Sequence, residues 1–284
     1  LPLFEILKIG ESAPEPLPDG ARPLSGIRVA DITRVIAGPM CGRTLAEHGA
    51  DVMRISGPGL AFSEALVIDT GYGKIAAEID LGIKAGRETM RDLIKKSDIF
   101  SQGYRPDSIA RRGFSPEEMA AIRPGIICVS LCAFSHAGPW RHKRGFDSIV
   151  QCCSGIVHEH SEGTRKTPAH LPAQCLDYVT GYLGAFGAME ALRRRANEGG
   201  SWLVRVSLVQ TAHWLKRLGR FGISEDARGL PDPELSDVLD LAMETESKFG
   251  TIQHLAPAVT LSETPPYWAS PPVPLASHAP AWPS

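Results

Sequence analysis

From Leu24 onward the chain alternates two patterns, short continuous apolar runs and longer stretches whose apolar residues recur every three or four positions. Residues 27–33 (IRVADIT), 51–56 (DVMRIS), 76–81 (AAEIDL), 98–101, 126–132 (IICVSLC) and 201–206 (SWLVRV) are of the first kind and predict strands. Helical spacing predicts helices over 40–48, 84–96, 146–156 and 207–218, the second carried by Met90, Leu93 and Ile94. A short helix over 115–122 is announced by Ser115, Pro116, Glu117 and Glu118, which form a capping signal with proline in the first turn. Apolar runs of this kind suit strands buried on both faces, and their alternation with helices predicts a parallel sheet covered on both sides. The expected fold is α/β, an open and mostly parallel sheet with helices on both faces and ligands at loops beyond the carboxyl ends of strands.

The stretch 171–192 (LPAQCLDYVTGYLGAFGAMEAL) stands apart. Tyr182, Leu183, Phe186, Met189 and Leu192 keep near-helical spacing, while Gly181, Gly184, Ala185, Gly187 and Ala188 fill the gaps, so the pattern predicts a helix packed tightly on both sides. Asp177 stands at its mouth. The small residues Thr180, Gly181 and Gly184 let another backbone or a ligand approach that acid, although local sequence equally describes an acid stabilised by first-turn N–H groups. Arg193 to Arg195, with Gly199 and Gly200 after Glu198, close the helix with positive charge at its carboxyl end.

Outside this body the patterning weakens. Residues 1–23 read as an extended lead-in, with Phe4, Ile6 and Leu7 available to pin it, and 24–218 as the main domain. Residues 219–284 read as an acidic helix over 230–244 followed by a proline-rich tail that wraps the body or a second subunit through Trp268 and Trp282. Residues 158–170 read as a polar loop holding His158, His160 and His170, whose spacing matches no zinc signature.

Composition narrows the functional classes. With 284 residues, 43% of them hydrophobic, the chain can bury a substantial core. Thirty basic against 32 acidic residues, a net charge of −2, give no global reason to expect nucleic acid or a membrane surface, so any anion site must be local. No apolar run approaches the roughly 20 residues that span a bilayer, and the opening stretch has no basic region or cleavage pattern, so a cytoplasmic location is expected. The six cysteines lie mostly in apolar runs without CxxC pairing and read as reduced packing residues. The chain begins with Leu, which suggests a segment of a longer protein.

Ala37-Gly38-Pro39 stands at the first strand–helix junction in place of a GxGxxG fingerprint, which disfavours a nicotinamide enzyme. GxxxxGK[ST] and GxSxG are also absent. Tyr104 and Arg105 follow a predicted strand, where a ring and a guanidinium suit stacking and phosphate pairing, although a plain turn arginine fits as well. His136 has no nucleophile beside it and reads as a loop histidine. Asp147 reads as a cap for the helix that follows it.

Taken in order, a series of short motifs is hard to explain piecemeal: 24–39 (LSGIRVADITRVIAGP), 49–55 (GADVMRI), 77–81 with Gly86-Arg87-Glu88, Tyr104-Arg105-Pro106, Arg112-Gly113-Phe114, 123–126 (RPGI), Gly138-Pro139, Gly145-Phe146-Asp147, and Leu176-Asp177 with 181–192. Together they resemble the family III CoA-transferases, the CaiB/BaiF family, over roughly residues 24 to 215. The resemblance implies a Rossmann-like large domain, an interlocked homodimer, and acyl-CoA and a carboxylic acid as substrates, with no tightly bound cofactor and no metal. It places Asp177 where the family carries its nucleophilic aspartate, which forms an anhydride with the acyl group and then an aspartyl-CoA thioester. By the same resemblance Ile36 and Ala37 pass close to CoA, and Lys74 and Arg111 face its phosphates. Gly103, Tyr104 and Arg105 touch the nucleotide, and Arg144, Phe146 and Asp147 line the pantetheine arm.

Two departures bear on function. Family racemases carry a histidine where Phe146 stands, which favours a transferase over an acyl-CoA racemase or epimerase. Typical members continue into a smaller domain with a glycine-rich lid, whereas here only 219–284 follow, so a CoA-binding subunit without catalysis is a further reading.

Overall fold

The computed structural model describes residues 1–164, 167–219, 231 and 234–283. The sheet is built from β1 (Phe4–Gly10), β2 (Arg28–Asp31), β3 (Asp51–Ser56), β4 (Lys74–Glu78), β5 (Ile99–Gln102), β6 (Ile127–Cys132) and β7 (Ser201–Ser207). The helices are α1 (Ala37–Glu47), α2 (Glu64–Asp69), α3 (Lys84–Ile94), α4 (Pro116–Ile122), α5 (Asp147–Cys153), α6 (Ile156–Thr164), α7 (Cys175–Glu198) and α8 (Leu208–Arg217). The seven strands lie in the order β1-β7-β6-β5-β2-β3-β4. All neighbours are parallel except β1, which runs antiparallel to β7 at one edge. The parallel part of the sheet starts at β2 and builds outward on both sides, so the order reverses between β2 and β5, where ligands of open α/β sheets bind.

Strand residues point alternately to two cores. Val29, Val52, Val129 and Val204 meet α1 and α7 on one face, while Ala30, Met53, Phe100 and Cys128 meet Met90 of α3 and Met119 of α4 on the other. Helix α7 lies beside α1 on the first face, α1 over β2 and β3 and α7 over β6 and β7, and its small residues make the close approach possible. A Cβ on Gly181 would stand 2.6 Å from the Ala37 carbonyl oxygen, and one on Gly187 would stand 2.5 Å from Val204 Cγ1. The close approach foreseen for these glycines is therefore that of helix α1 and strand β7. The capping box at α4 is complete, with Ser115 Oγ accepting from the Glu118 N–H at 3.1 Å and Glu118 Oε2 accepting from the Ser115 N–H at 2.8 Å.

Several elements differ from the sequence reading. The lead-in is not merely extended, since Phe4–Gly10 joins the sheet and turns Phe4 and Ile6 onto the first core, with Leu7 39% exposed. The helix expected over 146–156 breaks at Ser154–Gly155, where Gly155 has φ +84, and the expected loop after it is helical as α6 through Thr164, with residues 165–166 outside the described residues. Of the acidic helix expected over 230–244, residues 230, 232 and 233 lie outside the described residues. The remainder is a 3-10 segment, Leu235–Leu241, leading into β8 (Ala242–Ser247), which pairs with β9 (Gly250–Leu255) as a separate hairpin. Helix α2 has only six residues and was not anticipated.

The last twenty described residues run along the β4 edge. The Ala76 N–H donates to His278 Nδ1 at 3.2 Å and the His278 N–H to the Ala76 oxygen at 2.8 Å, which satisfies an edge strand without adding one. Trp268 Nε1 donates to the Arg43 oxygen and Trp282 Nε1 to the Leu93 oxygen, each at 3.3 Å, fastening the tail to both faces. The lead-in is held at the other side by Glu15, whose carboxylate takes two bonds from Arg123 at 2.6 and 2.7 Å next to the pair that the fully buried Arg195 makes with Asp98.

Candidate functional site

Asp177 is the third residue of α7 and is 6% exposed. Gln174 precedes the helix without capping it, and the role falls to a residue thirty positions earlier. Asp147 Oδ2 accepts the Asp177 N–H at 2.9 Å, so this acid caps α7 rather than its own helix α5. Asp147 is itself 1% exposed and is held by Gln151, whose Nε2 donates to Asp147 Oδ1 at 2.5 Å while its Oε1 accepts the Leu171 N–H at 2.9 Å. A buried glutamine thus ties the segment leading into α7 to the acid that caps it.

Among the described residues no hydrogen bond or ion pair reaches the Asp177 carboxylate. Burial, with the Asp147 charge adding to it, pushes its pKa up to about 7. One turn further along α7, Gly181 touches Ala37 and Met40, and Gly184 touches Cys41, so α1 and α7 run in the same direction with their amino ends together. Residues four apart share a helix face, which puts Asp177 on the side that meets the start of α1, where Ile36 and Ala37 stand. Pro39 lacks an N–H, so the amide donors at the start of α1 are those of Ala37 and Gly38. An anion formed beside two helix amino ends is stabilised by both.

Two cavities open beyond the carboxyl ends of the neighbouring strands. One, of about 360 Å3, is bordered by Thr33, Arg34, Val35, Phe62, Leu66 and Phe146. The other, of about 270 Å3, is bordered by Gly57, Asp80, Tyr104, Ser108 and Arg112. Asp177 lines neither cavity. The connection is Phe146, 58% exposed at the first cavity and adjacent to the acid that holds the Asp177 N–H. Ile36 is buried and Ala37 half-buried at the start of α1, and Tyr104 is half-buried with its N–H on Gln102 Oε1 at 2.8 Å. Gly103, Arg105, Arg111 and Arg144 are exposed, and Arg105 donates to the His142 oxygen at 3.4 Å.

Lys74 does not match its expected place against phosphates. It is 2% exposed, and its Nζ donates to Asp31 Oδ2 at 3.0 Å and to the Pro39 oxygen at 2.7 Å, so it faces the interior and fixes the first turn of α1. Burial lowers its pKa to about 8 against the opposing pull of Asp31. Two arginines that the sequence reading passed over take up cavity positions instead. Arg112 borders the smaller cavity where its neighbour Arg111 does not, and Arg34 borders the larger one while donating to the Ala61 oxygen. Their signal in the sequence was their place directly after a strand and at the end of a turn. His158 and His160 lie on α6, and His170 stands 3.4 Å from Cys152 Sγ and 3.2 Å from the Ser148 oxygen.

Comparison with known proteins gives a consistent result. Residues 24–218 match the family model of CoA-transferase family III. The acetyl-coenzyme A transferase nodX of Hypoxylon pulicicidum is 37% identical over 204 residues, which is 69% of this chain and 34% of that protein. The succinyl-CoA–L-malate CoA-transferase beta subunit of Chloroflexus aurantiacus is 29% identical over 203 residues, 66% of this chain and 50% of that one. A crystal structure of a CAIB/BAIF family protein from Brucella suis superposes with a TM-score of 0.62 at 26% identity, covering 69% of this chain and 56% of that one. The chain therefore spans about a third to a half of the curated relatives it matches.

Proposed function

This chain belongs to CoA-transferase family III, and from that premise we propose that it moves CoA between an acyl-CoA thioester and a carboxylic acid, with Asp177 as the nucleophile. The observation that carries the reading is the state of Asp177: buried, free of any cation among the described residues, and set at the meeting of two helix amino ends. Its carboxylate attacks the thioester carbonyl carbon, the C–S bond breaks, and CoA leaves as thiolate, giving a mixed anhydride. The thiolate then attacks the aspartyl carbonyl, releasing the donor acid and leaving an aspartyl-CoA thioester. The acceptor acid repeats the two exchanges in reverse, so the thioester's energy is kept at each stage and water takes no part. The Ala37 and Gly38 amides are the donors closest at hand for an oxyanion.

In this reading Tyr104, Gly103 and Arg105, with Arg111 and Arg112, receive the nucleotide end of CoA. Ile36 and Ala37 pass beside the thioester, and Arg144, Phe146 and Asp147 line the path of the pantetheine arm. Lys74 contributes from behind, by fixing the start of α1 through Asp31 and Pro39. Phe146 offers no proton acceptor where a racemase needs a base, so α-proton exchange is not part of the reaction. Tyr182 and Phe186, 37% and 54% exposed on one face of α7, give an apolar surface for a second copy of the chain in a cytoplasmic homodimer.

The test is transfer itself. Purified protein given succinyl-CoA and a panel of labelled carboxylic acids is expected to yield labelled acyl-CoA, with the Asp177→Asn variant at least about a thousandfold slower, as for removal of an attacking group. Uptake of solvent deuterium at the α-carbon without transfer would favour the racemase, and CoA binding without either reaction would favour a non-catalytic subunit.

A further inference from the structure

On the face of the sheet opposite α7, a cavity of about 170 Å3 lies at the carboxyl ends of β5, β6 and β7. The side is fixed by the strands: Val129 and Val204 meet the alanines of α7, whereas the cavity rests on Phe100, Cys128 and Leu203 of the second core. These three floor residues form one row in register across β5, β6 and β7. The next row on the same face, two residues nearer the carboxyl edge, is Gln102, Ser130 and Arg205, continued onto β1 by Glu5. An apolar row below and a polar row above make an amphipathic pocket.

The polar row is unevenly satisfied. Gln102 Nε2 donates to Ser130 Oγ at 2.6 Å. Arg205, its side chain 32% exposed, reaches only Glu5 Oε2, at 4.0 Å, and its guanidinium makes no hydrogen bond among the described residues. Glu5 Oε2 is buried without a hydrogen-bond partner, since His136 Nε2 lies 3.2 Å away but out of line. Burial first, then the Arg205 charge, hold the His136 pKa below its ordinary value against the pull of Glu5, and the guanidinium cations bordering the pocket are Arg205 and Arg105. A half-buried guanidinium with five donors and no aligned acceptor is built for a planar anion.

We propose that this cavity binds a small monocarboxylic acid, its carboxylate on Arg205 and its hydrocarbon part on Phe100 and Leu203. A phosphate would meet the Glu5 carboxylate with more charge and gain nothing from the apolar floor. The volume, below the roughly 300 Å3 at which drug-sized pockets begin, restricts the ligand to a short-chain or single-ring acid. The sheet separates the pocket from Asp177, so an acid bound here is an effector and not the reacting partner of that residue.

Titration of the 284-residue chain with para-fluorobenzoate, followed by fluorine NMR, tests this. Binding is expected for the wild type, at least about tenfold weaker for Arg205→Gln, as loss of one charge-assisted pair implies, and weaker by a similar factor for neutral para-fluorobenzyl alcohol. Glu5→Gln, which removes the competing carboxylate, is expected to tighten it severalfold, and this variant decides the matter should Arg205→Gln fail to fold. No wild-type binding, equal binding by a folded Arg205→Gln variant, or no tightening in Glu5→Gln would each overturn the proposal.

Discussion

At Asp177 two physical effects oppose each other. The amino end of α7 favours an anion by up to about 1 kcal/mol at ordinary geometry, while burial and the neighbouring Asp147 charge disfavour it. Burial wins, since the pKa rises from 3.8 to about 7. A nucleophile must be ionised, so the rate of transfer is expected to fall about tenfold per pH unit below the neutral range rather than below the ordinary carboxylate range. Asp147→Asn keeps an oxygen to accept the Asp177 N–H but removes the charge, and is expected to move that limb to lower pH. The pH profile of kcat/KM for the two proteins checks both statements. A limb near pH 4 in the wild type, or no shift in the variant, would contradict them. The same shift affects stability with a definite sign: the folded state holds the Asp177 proton more tightly than the unfolded chain, so this contribution weakens as pH rises from about 4 to about 7. None of this was legible locally. The sequence around Asp177 describes a simple helix-end acid as well as a buried one, and the residue that decides between them lies thirty positions upstream. Lys74 misled for a similar reason, because a long side chain starting on an edge strand gives no sign of whether its charge ends on a ligand or on a buried Asp31.

Among the elements, α7 owes its position to small residues, and not all of its glycines are equivalent. A Cβ on Gly181 meets the Ala37 backbone oxygen at 2.6 Å, which cannot yield without moving α1, whereas one on Gly184 meets side chains alone, Cys41 Sγ at 3.3 Å and Val129 Cγ1 at 3.6 Å. Gly181→Ala is therefore expected to cost about 1–3 kcal/mol, and Gly184→Ala distinctly less because helix propensity offsets the crowding. Urea unfolding midpoints separate them, and equal costs would mean that α1 does not seat on α7 as described. Elements with a strong local signature were readable. The apolar runs of β3, β6 and β7 and the capping box of α4 stand where the residues put them. What escaped had no such signature. Helix α2 is a turn and a half, β1 is flanked by prolines, and β8 and β9 form a two-stranded ribbon with polar residues on both faces, so no apolar stripe marks them.

For the molecule as a whole, the parallel sheet with a reversal between β2 and β5 brings the start of α1, the loop after β5 and the helix α7 to one carboxyl edge. That convergence was legible as a fold class from alternating runs, but the pairing of a lead-in strand with β7 and the run of the tail along β4 follow from contacts between residues far apart in sequence. Everything proposed about catalysis depends on one carboxylate at that edge becoming acylated. The direct measurement is mass spectrometry of protein incubated with acyl-CoA and quenched with hydroxylamine or borohydride, followed by digestion. The account predicts a modification confined to Asp177, as hydroxamate or as reduced alcohol, and its disappearance in Asp177→Asn. Modification of a different acidic residue, or an unmodified peptide from protein that binds and turns over acyl-CoA, would contradict it.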